Sequence, residues 1–288
     1  MTHQIVYLYL ISPLHTGGAT QEGNLLGIAR ESHTNLPYTP SSTTRGRLRA
    51  NTSDRIKRVQ LFGPQLEDIK DANFVAQYEQ ATGKKLTQLE QGDIWIGDGS
   101  ILWLPVPSLS HGVVWISCPM LLQRWTRFNT NTNDITSEDI TNLEYKTNLD
   151  VNKPVYLKDA ILKGNLQRWD KWKKFIPRTP EINSIPRVLV LPDQYCTTVM
   201  QMSLWRQVKV KLDEHKTVDG GFRYEEAIPP DTLMYFPWGT TVQANGSASQ
   251  SLTDFQALIT ANPVLQIGGQ ESLGRGFVQP LLPHNNPN

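Results

Sequence analysis

The chain has 288 residues, 39% of them hydrophobic and 9% aromatic, and 28 Lys and Arg against 27 Asp and Glu leave a net charge of +1. Such a composition supports a buried core and excludes global disorder. It also excludes a polycation that coats nucleic acid indiscriminately, so any contact with RNA or DNA must come from local clusters. Cys118 and Cys196 are too few for a disulfide framework or a zinc finger, and no window approaches the ~20 apolar residues of a membrane span. The expectation is a soluble, cytoplasmic α/β or α+β protein.

The apolar run QIVYLYLI at 4–11 predicts a buried first strand rather than a signal peptide. A Gly-, Thr- and Asn-bearing loop at 16–29 follows, with Leu25-Leu26 as a small apolar patch. Pro37 and Pro40 keep their predecessors extended. Ser41-Ser42-Thr43-Thr44 then predicts the N-cap of one helix running through RGRLRANTSDRIKRVQLFG, stopped at Phe62-Gly63-Pro64. Residues 65–91 are polar and read as an insertion. Asp93–Pro105 predicts two short strands around Gly97-Asp98-Gly99, and 113–117 another. Pro119 opens a helix. The stretch 129–180 reads as a second insertion, with a low-complexity loop at 129–142. Residues 188–191 suit a strand. WRQVKVKL at 205–212 alternates, and with a turn-rich tip and a returning 222–226 it predicts a β-hairpin. Strands at 231–236 and 277–278 complete a single domain over 1–288.

Four segments are candidates for ligand contact. In 41–60, Arg45, Arg47, Arg49, Arg55, Lys57 and Arg58 stand against the single acid Asp54. Hydroxyls and arginines at a helix N-terminus suit phosphate, and a capped helix with a solvated basic face reads equally well. Gly268, Gly269, Gly274 and Gly276 around Arg275 suit close backbone approach to a ligand, or simply a tight turn. The hairpin offers Lys209 and Lys211 to RNA and an apolar face to bases, or is a plain surface hairpin. Residues 163–178 interleave Lys and Arg with Trp169, Trp172 and Phe175, as single-stranded RNA sites do, or as an amphipathic helix does when it buries three rings. His15, Glu22, Glu31 and His33 lack the spacing of a metal-binding helix. His15 is a candidate general base or 2′-OH partner, or a structural residue, and Arg30-Glu31 a candidate ion pair.

In order, the run His15-x-Gly17, Arg30-Glu31-x-His33-Thr34, Pro40-x-Ser42-x-x-Arg45-Gly46-x-Leu48-Arg49, Leu61-Phe62-Gly63, Gly97-Asp98, Cys118-Pro119, Tyr224-Glu225-Glu226-x-x-Pro229-Pro230-Asp231 and Gln266-Ile267-Gly268-Gly269…Gly274-Arg275-Gly276 resembles the RAMP-superfamily backbone subunits of type III-B (Cmr) CRISPR effector complexes. The resemblance implies an α+β fold with a ferredoxin-like, RRM-type core, insertions and a thumb hairpin at 205–226. It implies polymerisation along a CRISPR RNA, with complementary target RNA, other type III effector subunits and neighbouring copies as partners, and no membrane. The RNA-binding residues it implies are His15, Ser42, Thr43, Arg45, Arg47, Arg49, Lys209, Lys211, Gly268, Gly269, Gly274 and Arg275. Arg45 stands where the family carries a lysine, and Ser41 where it carries a glycine.

One departure bears on activity. Many members carry an aspartate shortly before the arginine–glutamate pair, where it supports divalent-metal-dependent cleavage of target RNA. Here the position is Leu25, or Leu26 or Asn24 with a one-residue shift, and no aspartate lies between His15 and Arg49. Leucine neither binds a metal nor moves a proton. The expectation is a subunit that binds guide and target without cleaving, needing no cofactor for binding, and Mg²⁺ or Mn²⁺ only if it cuts. The alternatives are an endoribonuclease using Glu22, with His15 nearby, or a metal-independent ribonuclease that processes precursor RNA through His15.

Overall fold

The computed structural model describes residues 3–18, 21–22, 25–129, 135–177, 179, 182 and 185–283. The chain begins with β1 (His3–Leu10), then β2 (Gln21–Glu22), β3 (Leu25–Leu26) and β4 (Tyr38–Thr39). Four helices follow: α1 (Ser41–Ala50), α2 (Arg55–Phe62), α3 (Leu66–Lys70) and α4 (Ala72–Thr82). After β5 (Ile94–Ile96), β6 (Gly99–Ser108) and β7 (Gly112–Ser117) comes α5 (Pro119–Phe128). The short strands β8 (Lys146–Thr147), β9 (Val155–Leu157), β10 (Ala160–Leu162), β11 (Gln167–Arg168) and β12 (Val188–Val190) lead to α6 (Asp193–Met202). Then come β13 (Trp205–Leu212), β14 (Val218–Ala227), β15 (Leu233–Thr240), α7 (Ala248–Thr260), β16 (Leu265–Gln266) and β17 (Phe277–Leu281).

The core sheet runs β6-β15-β1-β17, with each neighbouring pair antiparallel. Helices α1 and α2 lie between β1 and β6 in the chain, and α7 lies between β15 and β17. That is the βαββαβ order of a ferredoxin-like unit, as expected. The segment from β7 to β14, which contains the stretch 129–180, is inserted between β6 and β15. It extends the sheet through β7, β12, β8 and β11, and ends in the hairpin β13–β14.

The sequence of β1 explains its central place. Val6, Leu8 and Leu10 pack into one apolar cluster, which α1, α2 and α7 help close with Leu48, Phe62 and Phe255. Ile5 and Tyr7 point to the other face, onto Trp103, Trp125 of α5, Trp169 and Phe175. A strand buried on both faces reads as a continuous apolar run rather than an alternation.

Two expectations are corrected. The helix expected across 41–60 is two helices, because Asp54 accepts from the backbone N–H groups of Ile56 (2.9 Å) and Lys57 (3.1 Å) and so starts α2 anew. Nor do the hydroxyls cap α1: Pro40 holds its N-cap position and Ser41 is already helical. The basic aromatic stretch 163–178 is not an amphipathic α-helix. Asp170–Phe175 is a 3₁₀ turn, and Trp169 and Phe175 are core residues 5.0 Å apart. Arg178 lies outside the described residues. With Trp169 and Phe175 buried and Trp172 half-buried, this segment offers no stack of exposed aromatics.

Its lysines serve an internal acid instead. Asp139, almost wholly buried, accepts from Lys171 Nζ (2.6 Å), Lys174 Nζ (3.0 Å) and the Thr136 N–H (3.0 Å). The Lys171 hydrogen bond is the largest of the causes that hold this carboxyl well below the usual carboxylate range. A depressed native pKa stabilises the fold above the unfolded value, about 3.9 for Asp, and the contribution fades as pH falls below it. Asp139→Asn is therefore expected to lower the urea midpoint at pH 7. The gap from the native protein should narrow steadily as both are measured from about pH 4 down toward pH 2.

Among the described residues, no helix is long and apolar enough to cross a membrane.

Candidate nucleic-acid interface

Three elements distant in the chain meet on one side: α1, the glycine-rich loop 268–276 and the base of the β13–β14 hairpin. The loop connects β16 to β17. Its reversal uses positive φ at Gly268 (78°), Gln270 (65°), Gly274 (71°) and Gly276 (76°). A Cβ at Gly268 would land on the His15 carbonyl oxygen, and one at Gly276 on that of Ile267. The amide of Gln266 reaches the Arg275 (3.2 Å) and Gly268 (3.3 Å) carbonyls and braces the loop from within.

His15 belongs to this scaffold. It is 5% exposed, its Nδ1 donates to the Glu226 carbonyl (2.9 Å), and its own carbonyl accepts from the Gly269 N–H (2.9 Å). That placement is the structural alternative, and an enclosed imidazole held at one nitrogen does not fit an exposed general base.

The N–H of Ser41 donates to Asp98 Oδ1 (2.7 Å). The positive end of α1 thus already carries a carboxylate of the protein. Ser42 and Gly46 are exposed, Thr43 half-buried. The arginines of 41–60 do not form a solvated basic face. Arg45 donates to the Phe62 carbonyl, and Arg49 Nη1 approaches the same oxygen at 3.4 Å. Asp68, on α3, is the hub: Arg55 Nε lies 2.8 Å, Arg58 Nη2 3.0 Å and Arg49 Nη2 3.9 Å from its carboxylate. Burial tends to raise the Asp68 pKa, but the Gln65 N–H, the Arg55 hydrogen bond and the Arg58 and Arg55 charges outweigh it and leave the pKa lowered. Burial, followed by the Arg45 and Arg58 charges, lowers the pKa of Arg49. Lys57 pairs with Asp254 (2.6 Å). Arg47 meets the exposed Glu271 of the glycine loop at 3.6 Å, the one ion pair among the described residues that ties α1 to that loop.

The hairpin has two unlike faces. Val208 opposes Tyr224, Val210 opposes Phe222 and Leu212 opposes Val218. These six side chains are each 41–59% exposed, and the Phe222 and Tyr224 rings meet edge to face at 5.4 Å. On the other face Lys209 pairs with Glu225 (2.6 Å) and Lys211 with Asp219 (2.7 Å). An exposed apolar strip on a projecting hairpin is a surface built to meet something.

At the hairpin base the buried Glu226 accepts from Arg30 (2.8 Å) and Arg206 (2.9 Å). Arg30 and Glu31 are thus not paired with each other: Glu31 takes the Arg124 guanidinium in a two-pronged contact. Burial raises the Glu31 pKa, but the Arg124 and Thr34 hydrogen bonds prevail and lower it. Arg275 is 7% exposed, with its guanidinium 3.8 Å over the Trp205 ring and Nη2 2.6 Å from Gln207 Oε1. It faces the hairpin rather than solvent.

Strand β3 joins the hairpin sheet. Leu25 pairs in parallel with Tyr224, and Leu26 with Glu225. Sheet neighbours share a face, so Leu25 extends the apolar strip. Glu22 stands opposite Leu25 in antiparallel register; its side chain and Asn24 lie outside the described residues. The described donor set at this position does not fit a divalent metal, since leucine brings no oxygen ligand. Among the described residues, no group of three or more His, Cys, Asp or Glu is placed to hold a metal ion.

Sequence reading missed Asp68, Asp98, Glu226, Glu271 and Trp205. Of these, Glu226 and Asp98 had a signal, the Tyr224-Glu225-Glu226 run and the Gly97-Asp98 pair.

The sequence profile of the RAMP superfamily matches residues 7–279. The chain is 29% identical over 305 aligned positions to the protein named CRISPR system Cmr endoribonuclease Cmr4 of Pyrococcus furiosus, covering 98% of this chain and 96% of that one. Its structure is similar to that of oligomeric Cmr4 from Pyrococcus furiosus, with a TM-score of 0.69 at 23% identity over 99% of both chains. It is also similar to a chain of the type III-B Cmr-beta complex bound to cognate target RNA, with a TM-score of 0.67 at 18% identity over 97% and 96% of the two chains.

Proposed function

The chain belongs to the RAMP superfamily, and from that premise we propose that it is a backbone subunit of a type III-B (Cmr) effector complex, holding crRNA and displaying it for pairing with target RNA. The observation that carries the reading is the meeting of Arg47 on α1, the glycine loop and a hairpin with an exposed apolar strip. The relatives it resembles are a Cmr endoribonuclease, an oligomeric Cmr4 and a target-bound Cmr-beta complex. Loop and helix hold sugar-phosphate, and the apolar strip is of the kind that takes base faces. Specificity then lies in guide–target pairing rather than in protein contacts to bases. Neighbouring copies and other effector subunits complete the assembly, in the cytoplasm.

The subunit is proposed to bind without cleaving. Leu25 gives the loop an apolar contact where metal-dependent cleavage needs an oxygen ligand and a proton acceptor. A second reading, cleavage with Glu22 as the acid, is favoured by its register position opposite Leu25. One assay separates them: cleavage of labelled complementary RNA by the complex on its crRNA, with Mg²⁺ or Mn²⁺ and with EDTA, beside Leu25→Asp and without other nuclease subunits. Binding without cuts is expected of the native chain. Regularly spaced, metal-dependent cuts that Glu22→Gln abolishes would replace the first reading by the second.

Arg47 and Glu271 give a sharper test of the helix–loop surface. Arg47→Ala should flatten the dependence of log K on log salt by about 0.7, the loss of one phosphate contact on a single strand. Glu271→Gln removes the acid that competes for Arg47 and should tighten crRNA binding about twofold to fivefold, as for an exposed ion pair. Filter binding from 50 to 300 mM salt, roughly the range over which such slopes are read, checks both.

A further inference from the structure

The hairpin stands clear of the body along most of its length and is secured at its base. Two of the base contacts lead to the same nine-residue glycine loop, one from each strand. From β14, the Glu226 carbonyl takes the His15 ring, and the His15 carbonyl takes the Gly269 N–H. From β13, Trp205 lies under the Arg275 guanidinium and Gln207 accepts its Nη2. The backbone on either side of Arg275 is set by Gly274 and Gly276, both at positive φ, and by the Gly276 N–H bonded to the Pro13 carbonyl (2.9 Å). The loop therefore presents the guanidinium at a fixed height, and tilting or twisting the hairpin would separate it from ring or amide.

We propose that Arg275 is a positioning residue that couples the glycine-rich loop to the hairpin, so that the loop holding RNA backbone also sets the angle at which the hairpin meets the bases. This rests on the RNA-holding reading above. Arg275 touches no phosphate in this role: its face lies on Trp205 and its Nη2 on Gln207, and the half-buried Arg47 and the loop backbone remain for the guide. The stack is face-on at 3.8 Å and enclosed, the setting in which a cation on an indole ring is strongest. Lysine keeps the charge but not the planar fork, so it restores the ring contact and not the Gln207 bond.

The test uses the full-length chain in the crRNA-bound assembly with target RNA. 2-Aminopurine is placed singly along the guide–target duplex, where it brightens wherever a base is unstacked. The native assembly is expected to show bright positions at regular intervals. Arg275→Ala should keep crRNA affinity within about threefold, because no phosphate contact is lost, while the bright positions dim at least about twofold or spread to neighbouring bases. Trp205→Ala should do the same, the double variant should be no worse than either single one, and Arg275→Lys should recover part of the pattern. An Arg275→Ala assembly with the native bright pattern, or one losing guide affinity and base pattern in equal measure, overturns the coupling. A native chain that binds no crRNA, or shows no bright positions, overturns the RNA-display reading itself.

Discussion

Asp68→Asn should destabilise the protein by about 3 kcal/mol, the low end for removing one partner from a buried ion-pair cluster. The carboxylate is 1% exposed and receives Arg55, Arg58 and Arg49. Asparagine keeps the shape and an acceptor for the Gln65 N–H (2.8 Å) but removes the only charge those three arginines share. Arg49 is already held down by burial and by the charges of Arg45 and Arg58, so the repulsion loses its counterweight. Arg55 and Arg58 retain 36% and 26% exposure, and Arg55 keeps Asp71, which is why the larger figures are not expected. Urea melts at pH 7 and near pH 2 check it. The native carboxyl has a lowered pKa, so its contribution is full above the unfolded value near 3.9 and is lost as pH falls below it. The two curves should converge in acid. Because α1 is steadied by the same cluster, the variant should also weaken crRNA binding. That loss should appear without the change in salt slope that Arg47→Ala produces.

Gly276→Ala should cost about 2–5 kcal/mol, combining left-handed backbone strain with overpacking. A methyl group there lands on the Ile267 carbonyl oxygen, beside the Ile267 N–H that closes the loop on the Gly276 carbonyl (2.8 Å), and the backbone must move. Gly274→Ala is the matched control. It has nearly the same φ, 71° against 76°, but nothing within 4 Å of a new Cβ, so only the strain of about 1–2 kcal/mol remains. Thermal melts should rank native, Gly274→Ala and Gly276→Ala in that order. Gly276→Ala should also abolish the regular spacing of bright positions in the base-displacement assay, since it shifts the loop that carries Arg275. If the two alanine variants melt together, the close approach to Ile267 is not what holds the loop.

Local signals were legible where the physics is local. The apolar run of β1, the proline opening α5, the Gly63 stop and the alternation of the hairpin all read directly, because side-chain period and backbone restriction act within a few residues. The ordered motifs from His15 to Gly276 marked the superfamily before any coordinate. Charge was read less well. A run of six cations in 41–60 looks solvated in one dimension, and nothing local reveals that Asp68, Asp254 and Glu271 come from elsewhere to meet them. The rings of 163–178 read equally as a nucleic-acid platform or as buried rings; Trp169 and Phe175 are core and Trp172 packs half-buried against them, because burial belongs to the sheet they cover and not to their own spacing.

By itself, the sequence determined the ferredoxin-like class, the hairpin, the loop glycines and an apolar Leu25-Leu26 pair in the loop after β1. Tertiary structure alone decided which arginines keep an exposed head, that His15 is a brace, and that Leu25 joins the apolar strip beside Tyr224. The reason is range. Torsion and periodicity are properties of neighbours in sequence, whereas the pairing of a charge or the burial of a ring depends on partners far along the chain, as Glu226 is 211 residues from His15.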